Sequence, residues 1–315
     1  MILVLVALAS IAIGAKELPL DQVWHGLFHD SGTYADVVVG ERRSRTVLGL
    51  LVGAALGLSG AVLQALTRNP LADPGLLGIN AGASAAVVTA ITYFGVTTLS
   101  GYVWFAFFGA AAVGALVWFL GGSRGATPVR LALAGTAISA ALYGYLQAVM
   151  IMDDAALGKM RFWTVGSLAS ATDSMIMQVL PFLVIGTVLA LALARPLNAM
   201  AMGDDTARAL GANLNRTRAL SMAAATVLCG AATAACGPIV FVGLMVPHVV
   251  RSFTGPDLRW ILPYATVLSP VLLLGADVVG RIVARPAELQ VGIVTAIIGG
   301  PVFIYLVRRR RTAQL

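Results

Sequence analysis

The longest polar interruption in the second half of the chain lies between Asn198 and Arg218 and carries charges suited to contacting a partner. Asp204 and Asp205 are placed to begin a short helix, because carboxylates are favourable beside the free N–H groups of a helix start. Gly211 is placed to end it. A short amphipathic helix pair has little to bury by itself, so the pattern favours a protein partner, with an ordinary surface loop as the alternative.

No group of residues has the types and spacing of a catalytic, nucleotide or metal site. The only lysines are Lys16 and Lys159, and neither completes a Gly-x-x-x-x-Gly-Lys phosphate-binding loop. His248 has no second ligand spaced to complete a metal site, which favours a hydrogen bond at a helix end. We therefore predict that this chain is not an enzyme and binds neither a metal nor a cofactor.

The composition places these residues in a membrane protein of all-α fold class. Hydrophobic residues make up 59% of the 315 residues and charged residues 11%, whereas soluble domains carry about a quarter charged residues. Apolar segments that can cross roughly 30 Å of lipid must be helical, because lipid offers backbone groups no partners. We count ten such segments, of which the first and eighth are short: 1–15, 46–66, 78–96, 103–121, 129–152, 177–195, 219–237, 239–252, 261–281 and 290–307. We expect the eighth to be partly re-entrant.

The ten segments predict one polytopic domain over residues 1–315. Six helices fall within residues 1–195, the polar stretch covers 198–218, and four helices fall within 219–307. Residues 1–15 resemble a signal peptide in their small residues, but a retained first helix fits the charge balance better.

The basic residues indicate how the helices are oriented. The net charge of +7 comes mainly from arginines that follow alternate segments. By the positive-inside rule this places both termini in the cytoplasm, and it argues against a nucleic-acid surface.

Arg42, Arg45 and Arg281 are exceptions, because they fall on the outer side. Docking of an acidic partner explains them, since a guanidinium binds a carboxylate with two hydrogen bonds. The alternatives are an i,i+4 ion pair with Asp277 for Arg281, and lipid phosphates for the other two.

Two helices rich in small residues indicate an inverted repeat. Arg43-Ser-Arg45 precedes the first and Arg216-Thr-Arg218 precedes the second, five segments later. An odd number of segments makes the copies face opposite ways, as in many transporters, with chance similarity as the alternative. The first helix leads to a Pro- and Gly-rich turn over residues 67–78, expected at the inner surface. The second leads to a short apolar piece with Gly and Pro at both ends, which is typical of a broken helix.

Three motifs carry a resemblance to a known family: Asn69-Pro-Leu-Ala-Asp-Pro-Gly-Leu-Leu-Gly78, Gly237-Pro-Ile through Val246-Pro-His248, and Gly299-Gly-Pro-Val302. With them, residues 42–310 resemble the permease subunits of type II ABC importers, the family of the vitamin B12, haem and ferric-siderophore permeases. The stretch from Leu66 to Ser84 and Arg161-Phe-Trp163 are most similar to the ferric-enterobactin branch. The N-terminus of the given sequence departs from the family pattern, in which a basic cytoplasmic leader is expected.

The resemblance implies a ten-helix subunit of the bacterial inner membrane that pairs with a second, identical or homologous, permease subunit. Two ATP-binding subunits would hold ATP and Mg, and an extracytoplasmic siderophore-binding protein would deliver the substrate. Residues 202–213 would dock into the ATPase, with contacts from Gly203, Asp204, Asp205, Ala207, Arg208, Leu210 and Gly211. Of these, we expect Ala207, Leu210 and Gly211 to form the apolar contact face.

The resemblance also assigns Arg42, Arg45 and Arg281 to docking of the binding protein, and Asn69, Leu71 and Thr127 to a cytoplasmic gate. Ferric siderophore is the expected substrate, with cobalamin or haem as the alternative. A secondary transporter would need an acid or base buried at mid-membrane, and the predicted segments have essentially none except near their ends. An intramembrane enzyme would need paired catalytic groups, which the sequence lacks.

Overall fold

A computed structural model describes residues 1–28, 32–122 and 128–311. This part of the chain folds into fourteen α-helices and one short 3-10 helix, Pro74–Leu77. The α-helices are α1 Ile2–Ala12, α2 Leu20–Phe28, α3 Tyr34–Thr67, α4 Ile79–Phe94, α5 Leu99–Gly122, α6 Pro128–Met152, α7 Asp154–Trp163, α8 Asp173–Ala192, α9 Ala194–Ala201, α10 Asp204–Ala209, α11 Leu214–Cys236, α12 Val242–Thr254, α13 Leu258–Val283 and α14 Val291–Arg311.

Each of the ten predicted apolar segments coincides with a helix, and the all-α class is confirmed. Among the described residues, six helices are long and apolar enough to cross a membrane by length and composition, namely α3, α5, α6, α8, α11 and α13. Shorter apolar helices are α1, α4 and the stretch 291–305 of α14. The count of ten spans therefore stays a prediction. The eighth segment is short as expected, because α12 has 13 residues and so extends only about 20 Å.

Small residues let the central helices pack with their backbones almost in contact. Helix α3 forms the core with α11, α12 and α13. A Cβ atom built on Gly60 would lie 1.9 Å from the carbonyl oxygen of Gly243, and one on Gly53 would lie 2.6 Å from the Cα atom of Pro270. No side chain fits in these gaps, so glycine is required at both positions of α3.

The two predicted repeat helices, α3 and α11, are each followed by an irregular segment and then a shorter helix. Helix α3 leads through residues 68–78 to α4, and α11 leads through residues 237–241 to α12. The two predicted repeat helices also pack against each other. The order of elements is thus the one that the inverted repeat predicts.

The turn after α3 ends beside α6. A Cβ atom on Gly78 would meet the Ser139 Oγ atom at 3.2 Å and the Gly135 carbonyl oxygen at 3.4 Å, both well inside α6. At the start of α4, Asn80 accepts a hydrogen bond of 2.9 Å from Thr233 of α11. Helix α4 has only 16 residues, so it extends about 24 Å, less than the roughly 30 Å of a lipid hydrocarbon layer.

Candidate functional site

Two polar sites lie at opposite ends of the bundle, and we call these the inner and outer ends according to the predicted orientation. At the inner end, α10 is a separate short helix between two glycines with positive φ, Gly203 at +108° and Gly211 at +81°. Asp204 and Asp205 occupy its first turn, and the Gly211 N–H donates to the Arg208 carbonyl oxygen at 2.9 Å. The predicted start and end of this helix are confirmed.

The exposed face of α10 differs from the expected one. The Asp205 side chain is 99% exposed and pairs with Arg208 at 2.9 Å within the helix, and Leu210 is 62% exposed. Ala207, which we expected beside Leu210 on the contact face, is fully buried. The reason is helical geometry: Ala207 lies three residues from the half-buried Asp204, and both point toward the rest of the protein.

Asp204 lies at the centre of a network that joins three helices. One carboxylate oxygen accepts from Arg68 at the end of α3, and the other accepts from Arg218 of α11 at 2.6 Å. Arg68 also donates to the Met200 carbonyl oxygen of α9 at 2.6 Å. Partial burial by itself would raise the pKa of Asp204, but the two arginines outweigh it, and the pKa lies below its ordinary value.

Arg68 stands directly before the predicted gate residues. It is the C-cap of α3 and has a left-handed backbone, with φ +48°. The next residue, Asn69, accepts a hydrogen bond of 3.0 Å from the Leu71 N–H, and Leu71 is 36% exposed. Thr127 lies outside the described residues. The sequence analysis did not assign a role to Arg68. The available signal was an arginine directly before the Asn69-Pro70 turn.

A cavity of about 350 Å³ opens beside the gate segment. Its walls come from the end of α3, the segment before α4 and the first half of α6: Leu63, Thr67, Asn69, Ala72, Asp73, Leu77, Val129, Ala132, Leu133 and Thr136. The wall is mainly apolar, and Asp73 is its one charged residue.

At the outer end, the three predicted docking arginines are buried rather than exposed. Arg42, Arg45 and Arg281 are 6%, 8% and 1% exposed. Arg45 holds Asp277 through three hydrogen bonds of 2.7–3.2 Å and Glu288 at 2.6 Å. Arg281 pairs with Asp277 at 2.7 Å, which is the i,i+4 pair that we gave as the alternative. We call these five residues the outer cluster.

The outer cluster also fixes the end of α1. Arg281 donates to the carbonyl oxygens of Ser10 and Ile13, and Arg42 donates to those of Ile11, Ala12 and Lys16. A helix ends with carbonyl groups that have no partner in the helix, and cations stabilise that end. Lipid phosphates are therefore not needed to explain Arg42 and Arg45, because protein groups occupy their donors.

The outer cluster still borders a surface cavity of about 210 Å³. Four of its lining residues are cationic, Lys16, Arg42, Arg45 and Arg281, and two are acidic, Glu41 and Glu288. With Asp277 beneath them, four positive charges face three negative ones. The excess of one positive charge favours an incoming carboxylate.

Comparison with known proteins agrees with this architecture. The sequence model of the FecCD transport family matches residues 2–309. The ferric enterobactin transport system permease protein FepD of Escherichia coli is 45% identical over 98% of this chain and 93% of its own length. A hemin transport system permease protein of Yersinia pestis is 37% identical over 98% of this chain and 95% of its own length. A cobalamin import system permease protein of Halobacterium salinarum is 38% identical over 89% of this chain and 76% of its own length.

A solved structure described as an inward-facing conformation of a metal-chelate type ABC transporter superimposes with a TM-score of 0.85. It is 28% identical in sequence, and the match covers 98% of this chain and 96% of that one. The relatives are permease subunits, whose ATPase is a separate protein. The chain is therefore a multi-pass membrane permease subunit of a type II ABC importer for iron siderophores, haem or cobalamin, and it belongs to the FecCD transport family.

Proposed function

We propose that this chain carries ferric siderophore into the cytoplasm across the bacterial inner membrane, with both termini in the cytoplasm. The observation that carries this proposal is the 45% identity with the ferric enterobactin permease over almost the whole of both chains. The hemin and cobalamin relatives are less similar, at 37% and 38%. Iron would travel as a preformed chelate, so this chain would supply no metal ligands and no cofactor.

The proposed assembly contains a second permease subunit and two ATP-binding subunits, which hold ATP and Mg. The chelate passes from the siderophore-binding protein into a cavity between the two permeases. The exposed face of α10, with Asp205, Arg208, Leu210 and Gly211, contacts the ATPase, while Gly203, Asp204 and the buried Ala207 hold α10 on the permease. Binding of ATP moves α10, and the gate at Asn69, Leu71 and Thr127 opens toward the cytoplasm.

Docking of the binding protein is proposed at the cavity of the outer cluster. An acidic side chain of that protein would enter the cavity that Lys16, Arg42, Arg45 and Arg281 line, where four positive charges face three negative ones. This differs from docking on exposed arginines, because the arginines are already fixed by Asp277, Glu288 and the end of α1. Such fixed positive charges attract a carboxylate, and the arginines lose no side-chain freedom at the moment of contact.

The test is uptake by the complete transporter in liposomes, with its ATPase, its second permease and its binding protein. Three substrates are offered separately: enterobactin loaded with radioactive iron, haem, and cobalamin. We expect ATP-dependent uptake of the ferric siderophore only. Uptake of haem or cobalamin instead would replace the proposed substrate, and uptake driven by an ion gradient without ATP would refute the importer itself.

A further inference from the structure

We propose that the Arg68–Asp204 ion pair is the connection through which movement of α10 reaches the gate segment, and that Arg68 is a positioning residue for transport. The proposal rests on the proposed function, because it takes α10 as the ATPase contact and residues 69–71 as the gate. It adds a residue that neither assignment contains. Three structural observations support it.

The first observation is position in the chain. Arg68 is the last residue before the gate segment, so any displacement of its backbone passes directly to Asn69. The Asn69 N–H donates to the Gln64 carbonyl oxygen of α3 at 3.1 Å, and its side chain holds the Leu71 N–H. Asn69 and Leu71 thus move with the end of α3 as one short, internally bonded turn.

The second observation is the conformation of Arg68. Among the described residues, only Arg68 and Phe241 combine a side chain with a positive φ. A left-handed backbone costs a residue with a Cβ atom about 1 kcal/mol or more and persists only where the surroundings hold it. Here the backbone N–H groups of Arg68 and Asn69 bond to carbonyl oxygens in the last turn of α3. The guanidinium adds bonds to Asp204 and to the Met200 carbonyl oxygen.

The third observation is the shape of the network around Asp204. Its two carboxylate oxygens point to different helices: Arg68 lies at the end of α3, before the gate, and Arg218 lies near the start of α11. The Arg218 side chain is 14% exposed and the Arg68 side chain 41%. Substitution of Arg218 would take one arginine partner away from Asp204, as substitution of Arg68 does, but it would not touch the gate segment. Arg218 is therefore a matched control.

The experiment uses the complete transporter in liposomes with the Leu71→Cys substitution. Both native cysteines are buried, at 1% and 6% exposure, so a membrane-impermeant maleimide reports on position 71. Its labelling rate is measured with and without ATP plus vanadate, together with substrate transported per ATP hydrolysed. Arg68→Gln is compared with Arg218→Gln and with the charge-conserving Arg68→Lys.

We expect ATP plus vanadate to change the labelling rate of Cys-substituted position 71 in the Leu71→Cys transporter. The change should persist when Arg218→Gln or Arg68→Lys is added and should be lost when Arg68→Gln is added. Arg68→Gln should also transport about tenfold less substrate per ATP, which is within the usual range of coupling between sites. The proposal is overturned if Arg68→Gln keeps the nucleotide response, or if Arg218→Gln loses it equally. If Arg68→Gln does not assemble, Asp204→Asn is compared with Arg218→Gln: both lose the Arg218 pair, and only Asp204→Asn also loses the Arg68 pair. Failure of the proposed function is distinct, because the transporter without any substitution would then show no ATP-driven uptake.

Discussion

The backbones of Gly60 in α3 and Gly243 in α12 pack so closely that no side chain larger than hydrogen fits at Gly60. Even the Cα atom of Gly243 would lie only 2.6 Å from a Cβ atom on Gly60. Helix α12 begins at this contact, and Gln64 of α3 donates to the Gly243 and Leu244 carbonyl oxygens at 3.3 and 3.0 Å. The start of the broken helix is therefore fixed by α3.

Gly60→Ala should destabilise the permease, because the added methyl group must displace the α12 backbone rather than a side chain. The expected loss is about 1–3 kcal/mol, as for other overpacked cores. The control is Gly40→Ala in the same helix, where nothing lies within 4 Å and alanine should be neutral or slightly stabilising. Thermal unfolding in detergent measures both, and equal melting temperatures would contradict the close contact.

Asp277→Asn should be among the most destabilising single changes at the outer end. It would leave Arg45 and Arg281 buried without their shared carboxylate, and loss of one partner from a buried ion pair costs about 3–5 kcal/mol. The control is Asp173→Asn, which breaks the exposed pair with Arg43 and should cost less than about 1 kcal/mol. Melting temperatures report both, and a similar small effect in each would show that the buried network contributes little.

Leu210→Asp should abolish binding of the ATPase without unfolding the permease. Leu210 is 62% exposed, so its replacement removes little packing inside this chain, but a charge would enter the proposed apolar contact. Leu210→Met keeps the apolar character and should bind normally. Co-purification of the ATPase is the measurement. Retention of the ATPase by Leu210→Asp would show that this face lies outside the interface.

The stabilising effect of Asp204 should not change with pH across the neutral range. Its pKa in the folded protein is lower than the ordinary value of 3.8, so the stabilisation is complete above that value and is lost as pH falls below it. The difference in melting temperature between the parent and Asp204→Asn should stay constant from about pH 8 to about pH 5 and shrink only in stronger acid. Shrinkage already between about pH 7 and about pH 6 would contradict the double arginine pairing.

The sequence predicted the helices well because lipid allows the backbone few alternatives, so apolar length alone locates each segment. It predicted α10 because Asp204 and Gly211 act locally. The burial of Arg45 was beyond such reasoning, since its partner Asp277 lies 232 residues away. The inward side of Ala207 was missed for a similar reason: a six-residue helix has too few residues for its pattern to identify the buried face.

The capped end of α1 has a consequence for how the protein is made. Ser10 and Arg281, which bonds its carbonyl oxygen, are 271 residues apart, so the ribosome must synthesise α13 before this end of α1 has its partner. Arg42 follows within 26–31 residues of the carbonyl groups that it binds. Membrane insertion can therefore place α1 early through Arg42, whereas its final docking must wait until α13 is inserted.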